Sequence, residues 1–188
     1  MVKFPFFCWQ LLFLMVGLTG CGYRFGDGGI ASLYRTISVP FVEGDWDGDL
    51  TAAIVGQIAR SGSYQYLKEG GAVTLLIELD DLKDKNIGFR YYRNKEGMLK
   101  KDIIPTETRV TATAKVTLLE AASGTLLLGP TFISASVDFD HDFYSSRDAV
   151  NIFSLGQLND YDSAYDAVHR PLNRALAQKI GDFVNDSW

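Results

Sequence analysis

Apolar residues recur at every second position in four stretches of this chain and at helical spacing in two others. Ile37, Val39 and Phe41 alternate with Thr36, Ser38 and Pro40, a first strand that Pro40, lacking an N–H donor, places near its end or on an edge. Leu50, Ala53, Ile54, Gln57 and Ile58 form one stripe of a helix that Asp49 can cap and Ser61-Gly62 stops. Val73, Leu75, Ile77 and Leu79 share a face in a second strand, with Leu76 blurring the alternation. The third strand is cleaner: Val110, Ala112, Ala114, Val116 and Leu118 oppose Arg109, Thr111, Thr113, Lys115 and Thr117. Ala121 to Gly124 turns the chain into a fourth, where Ile133, Ala135, Val137 and Phe139 oppose Ser134, Ser136 and Asp138. Tyr161, Tyr165, Val168, Leu172, Leu176, Ile180 and Phe183 then line one side of a C-terminal helix, which Pro171 either kinks or starts afresh. The order β-α-β-β-β-α predicts an α+β fold: a two-layer sandwich in which two helices cover one face of a four-stranded mixed sheet.

The first twenty residues stand outside this pattern. Lys3 precedes an almost wholly apolar run from Phe4 to Val16, too short for a membrane-spanning helix of about 20 residues and suited to a secretory signal. Leu18-Thr19-Gly20-Cys21 resembles the bacterial lipobox, in which cleavage precedes a cysteine that carries diacylglycerol. This divides the chain into a lipoprotein signal peptide (1–20), a lipidated glycine-rich tether (21–34) and one domain (35–188). Cys8 leaves with the signal and Cys21 becomes a thioether, so no thiol is expected for a disulfide or a metal. Two or three acyl chains hold a protein stably at a membrane, and the tether reaches at most about 50 Å. Gly22, rather than an aspartate that would favour inner-membrane retention, points to the periplasmic side of the outer membrane.

Composition fits one globular domain, with 47% hydrophobic and 22% charged residues over 188 positions. The charge is unevenly spread. A chain of net charge −5 gathers seven Lys or Arg against three acids between Lys83 and Asp102, with Tyr91 and Tyr92 among them. Asn94 and Gly97 suit a turn there. Catalytic chemistry finds little support. His141, in "DFDHDF", has three acids around it but no second His or Cys, and it reads as a solvated strand end; His169 reads as a surface or half-buried helical residue. "DWDGD" at 45–49 fails as a calcium loop, since Leu50 and Gly56 stand where Gly and Glu are required, and its acids suit a helix N-terminus instead. Neither a nucleophile elbow, nor a zinc-binding H-E-x-x-H pair, nor a P-loop is present, so no enzyme, cofactor or metal is expected.

Cys21-Gly22-Tyr23-Arg24-Phe25, "TISVPFVEG" and "RVTATAKVTLLEAASGTLL" together resemble the LPS-assembly lipoprotein family, LptE. The chain departs from that pattern in an extended 83–104 segment and at Leu128, where an aromatic residue often stands. The resemblance implies a non-enzymatic partner of the LptD outer-membrane β-barrel, seated in it as a plug and assisting lipopolysaccharide insertion. Under that reading the polar strand face (Thr111, Thr113, Lys115, Thr117, Ser134, Ser136, Asp138) meets the barrel lumen rather than solvent. Arg90, Arg93, Lys95, Lys100 and Lys101 are then candidates for lipopolysaccharide phosphates, the alternative being a solvated hairpin whose charges deter edge aggregation. An exported chain does not meet nucleic acid. The second class left open is a lipoprotein activator of a cell-wall synthase or an auxiliary transporter subunit, although the short tether lacks the long linker of wall-crossing activators.

Overall fold

The computed structural model describes residues 29–93, 98–141 and 161–186, with backbone only at 92–93 and 99–102. Cys21, Lys95 and the signal and tether assignments before Gly29 therefore lie outside the described residues. A short helix α1 (Ile30–Leu33) leads into β1 (Thr36–Ser38), helix α2 (Asp49–Ser61), β2 (Gln65–Leu67), β3 (Val73–Arg93), β4 (Leu99–Glu120), β5 (Leu126–Asp140) and helix α3 (Tyr161–Asn185). The fold is α+β, and the sheet has five strands in the order β2-β1-β3-β4-β5, parallel on its β1 side and antiparallel from β3 to β5. The fifth strand, β2, is three residues long and parallel to β1, too short to show alternation. Pro40 falls where β1 has ended; the chain touches β3 again at Glu43, whose N–H donates to the Ile77 carbonyl.

Both helices pack on one face. Ile37, Val73, Leu75, Ala114, Val116 and Leu118 are sealed beneath Leu50, Ile54 and Ile58 of α2 and Leu172, Leu176 and Ile180 of α3. Burying side chains of this kind contributes about 1.5–3 kcal/mol each, the dominant favourable term. α3 runs through Pro171 as one helix and does not restart there. Proline lacks the N–H that would bond the carbonyl four residues back, and its exposed position places the loss where water replaces it. Gly48 in left-handed conformation occupies the N-cap of α2, with Asp49 as the first helical residue. The capping carboxylate is that of Asp45, buried, which accepts from the Thr51 N–H at 2.7 Å, from the Thr51 hydroxyl at 2.6 Å and from the Leu50 N–H at 3.4 Å. Asp47 accepts from the Asp49 N–H, and that bond holds its carboxyl below the usual range. The acids of "DWDGD" thus serve the helix terminus.

The larger departure is length. The second and third strands of the sequence reading are the basal halves of β3 and β4, which continue as a hairpin of 21 and 22 residues, about 70 Å at 3.3 Å per residue. Residues 83–104, the departure from the LptE pattern, are this continuation. A bulge between Leu79 and Asp81 shifts the alternation by one, so that Leu82 lies opposite Ala112 on the helix side and Lys83 opposite Thr111 on the other.

The Tyr64 hydroxyl is buried without a hydrogen-bond partner among the described residues, and burial pushes its pKa up from 10.0 to about 12. Tyr64→Phe removes an unsatisfied polar atom and should leave the thermal midpoint at pH 7 unchanged or raised. The folded state keeps this proton to higher pH than the unfolded chain, so stability falls as pH rises from about 10 to about 12, and the variant should lose less over that window. A midpoint lowered by several degrees at pH 7 would show that the hydroxyl is needed.

Candidate functional site

The face of the sheet turned away from the helices has no covering layer among the described residues, and strand register determines what it displays. β4 contributes Arg109, Thr111, Thr113, Lys115 and Thr117; β5 contributes Phe132, Ser134, Ser136 and Asp138. Arg109 sits opposite Asp138 and grips it with two bonds, Nε to Oδ1 at 2.6 Å and Nη2 to Oδ2 at 2.7 Å. That contact holds the Asp138 carboxyl below its usual range and raises the guanidinium. The Thr113 and Ser134 hydroxyls meet at 2.9 Å, and Lys115 Nζ donates to Glu78 Oε2 at 3.1 Å across to β3. Lys83 pairs with Asp81 along β3. The β3–β4 and β4–β5 junctions on this face therefore each carry a satisfied polar pair, the cross-strand arrangement that fixes register. It is a mainly polar surface, with Phe132 and Leu76 exposed on it, on which Arg109, Lys115 and Lys83 each have an acidic partner.

The pattern changes beyond the end of β5. Asp140 lies opposite Glu107, and among the described residues the hairpin continues distally as a two-stranded ribbon. Gly88 permits the crossing there, because a Cβ would fall 2.5 Å from Glu107 Cβ. Further register shifts follow at Phe89 and Tyr91. Phe89 pairs with Pro105 and Tyr91 with Ile103, so these four lie on one side of the ribbon; Phe89, Tyr91 and Ile103 are 54%, 59% and 55% exposed. Arg90 lies opposite Ile104 on the other side and is exposed. Arg93, Lys100 and Lys101 occupy backbone positions on the same ribbon. The hairpin thus carries rings on one side and, on the other, the exposed Arg90 opposite the buried Ile104. Ile103 and Pro105 were not legible as members of this patch, since they lie on the return strand and are brought to the rings only by register.

At the root of the ribbon His141 is 3% exposed, which corrects its reading as a solvated strand end. Its Nε2 lies 2.9 Å from the Thr108 hydroxyl, which donates to Asn86 Oδ1 at 2.8 Å. Thr108 therefore accepts from Nε2–H, and Nδ1 has no partner among the described residues. Phe139 and Tyr161 pack on the ring, with centroids 5.6 and 5.0 Å away. Among the described residues no three His, Cys, Asp or Glu side chains converge as metal ligands. At the opposite, basal end, Tyr34 donates to Glu120 at 3.0 Å. The segment that carries the N-terminus thus joins the domain about 70 Å from the ribbon tip. Trp46, beside the buried Asp45, is 98% exposed.

No protein-family model matches the sequence, and no curated protein matches it. Solved structures similar in layout are lipoproteins: a minor lipoprotein from Acinetobacter baumannii (12% identity, TM-score 0.48, covering 81% of this chain and 94% of that one) and rare lipoprotein B from Shewanella oneidensis (13%, 0.45, 77% and 89%). Lipoprotein B from Nitrosomonas europaea is similar at 9% identity and TM-score 0.44, covering 88% and 94%.

If the basic ribbon meets lipopolysaccharide, replacing Arg90, Arg93, Lys100 and Lys101 together by Ala should weaken binding in vitro and flatten its salt dependence, because the Debye length falls from about 10 Å at 0.1 M to about 3 Å at 1 M salt. The thermal midpoint should stay nearly unchanged, since Arg90 is exposed. Undiminished binding by that variant would identify the ribbon as a solvated hairpin.

Proposed function

We propose that this chain is an outer-membrane lipoprotein of LptE type, anchored through lipid on Cys21 and acting without catalysis as plug and partner of an LptD-type β-barrel in lipopolysaccharide assembly. The observation that carries the reading is the bare face of the sheet. A barrel lumen is lined by polar side chains and water, so an occupant must present groups that are polar yet already paired. Arg109–Asp138, Lys115–Glu78 and Thr113–Ser134 meet that condition, each side chain having its partner within the domain. Unpaired charges would instead pay desolvation on entry.

Two further features support it. The lipobox-like Leu18 to Cys21 supplies the membrane, and the opening Cys21-Gly22-Tyr23-Arg24-Phe25 resembles that of the LptE family. The ribbon projects away from the point where the tether joins, so a domain held at the periplasmic surface can send its ribbon end deep into a barrel. Phosphates and acyl chains of lipopolysaccharide suit a ribbon with cationic and aromatic sides.

A photo-crosslinking residue at Thr113 or Ser136 should capture a β-barrel outer-membrane protein in cells, and Cys21→Ser should abolish both lipid labelling and that capture. Capture of only cell-wall synthases, or capture that persists at full yield without the lipid, would overturn the assignment.

A further inference from the structure

The helical layer carries a site of different character. α2 and α3 run side by side, and beside their contact opens a groove of about 490 Å³ lined by Ala52, Ala53, Gly56 and Ala177, by Arg60, Arg170 and Arg174, and by Asp49 and Asn173. The helices meet closely because Gly181 leaves room for Gln57, whose Cγ would lie 2.7 Å from a Cβ there. Small residues on the facing turns leave the groove open, and long arginines line it.

The charge of this groove is opposite to that of the chain. Three guanidiniums face one carboxylate within a protein of net charge −5. None of the three is ion-paired among the described residues, whereas Arg109, Lys115 and Lys83 on the sheet all are. Arg60 is held by an ordinary helix-surface bond, Nη2 to Gln57 Oε1 at 3.1 Å, and closes the last turn of α2, where a cation is favoured by the helix dipole. Asp166, four residues before Arg170, forms no ion pair with it among the described residues, and Arg170 and Arg174 lie away from the helix ends. They stand four residues apart in the interior of α3, a spacing at which like charges repel.

The geometry points to a binding groove for a phosphate monoester carried on a larger, partly apolar body. A carboxylate has two oxygens and is satisfied by one guanidinium fork, while a phosphate monoester offers three oxygens and about two negative charges, enough for three arginines. The volume is that of a small-molecule site rather than a bare ion, and the alanine lining accepts the body that carries the phosphate. Asp49, also in the lining, competes for the same cations. The site lies on the opposite side of the sheet from the bare polar face, so it does not rest on the barrel reading.

The test uses the full chain in neutral detergent, following the arginine Nε–H resonances during titration with glucose 6-phosphate, glucuronate, and phosphatidic acid in neutral-lipid nanodiscs. Saturable shifts at Arg60, Arg170 and Arg174 with either phosphate source are expected, and the two arms separate a soluble ligand from a lipid headgroup. Arg170→Gln with Arg174→Gln should weaken binding by about tenfold or more. The double Lys variant, which keeps charge without the fork, should recover only part of that loss. Asp49→Asn should tighten binding by about two- to fivefold, an effect a structural role for Asp49 would not produce. Equal binding of glucuronate, no saturable shift with either phosphate source, or affinity unchanged in the Gln variant would overturn the proposal.

Discussion

The structure depends on the pairing of β3 with β4. Their register runs from Val73 opposite Glu120 to Arg93 opposite Leu99, and it decides which side chains face the helices and which face away. In the basal half, Leu75, Ile77, Ala114 and Val116 fall on the buried side. A one-residue slip would expose all of them and bury Glu78 and Lys115. Small Ala112 and Ala114 in β4 let the helices approach the sheet closely, and the cross-strand pairs on the far face oppose the slip from the other side.

That dependence explains what could be read from the chain. β4 was legible from 109 to 118 because one of its faces is buried throughout, so burial and alternation coincide. The stripes of α2 and α3 were legible for the same reason. The distal hairpin was not, for a physical cause: Phe89, Tyr91 and Ile103 are all half exposed or more, and a ribbon without a helical layer imposes no period on its sequence. Bulges at Leu79, Asn86 and Tyr91 then shift the phase of whatever alternation remains. Asp45 was legible as an acid near a helix start but not as the cap, since it reaches the helix from four residues before Asp49. His141 was misread because its burial comes from Thr108, Phe139 and Tyr161, none of which its neighbours in sequence announce. Of the candidate site residues, Arg90 is placed as an exposed side chain, while Arg93, Lys100 and Lys101 are placed by backbone alone.

Two surfaces with different electrostatics result from one layer arrangement. On the sheet, opposite charges are matched within the domain, which makes the face inert towards free ions and suited to a polar wall. On the helices, Arg60, Arg170 and Arg174 are left unmatched, which makes the groove receptive to anions. The ribbon adds a third surface, on which Phe89, Tyr91 and Ile103 stand exposed. In the proposed arrangement the domain presents its matched side and its ribbon end to the enclosing barrel, and keeps its groove on the opposite layer.

The central claim is that the bare sheet face is enclosed when the protein is in its membrane. If, as proposed, Cys8 leaves with the signal and Cys21 carries lipid, no free thiol remains, and Ser136→Cys, an exposed position at the middle of that face, reports on it alone. Maleimide labelling should be fast in purified protein and strongly suppressed in intact outer membranes, while Trp46→Cys labels readily in the former state as a control for reactivity. Equal labelling rates for Ser136→Cys in the two states would show the face open to water and contradict the account.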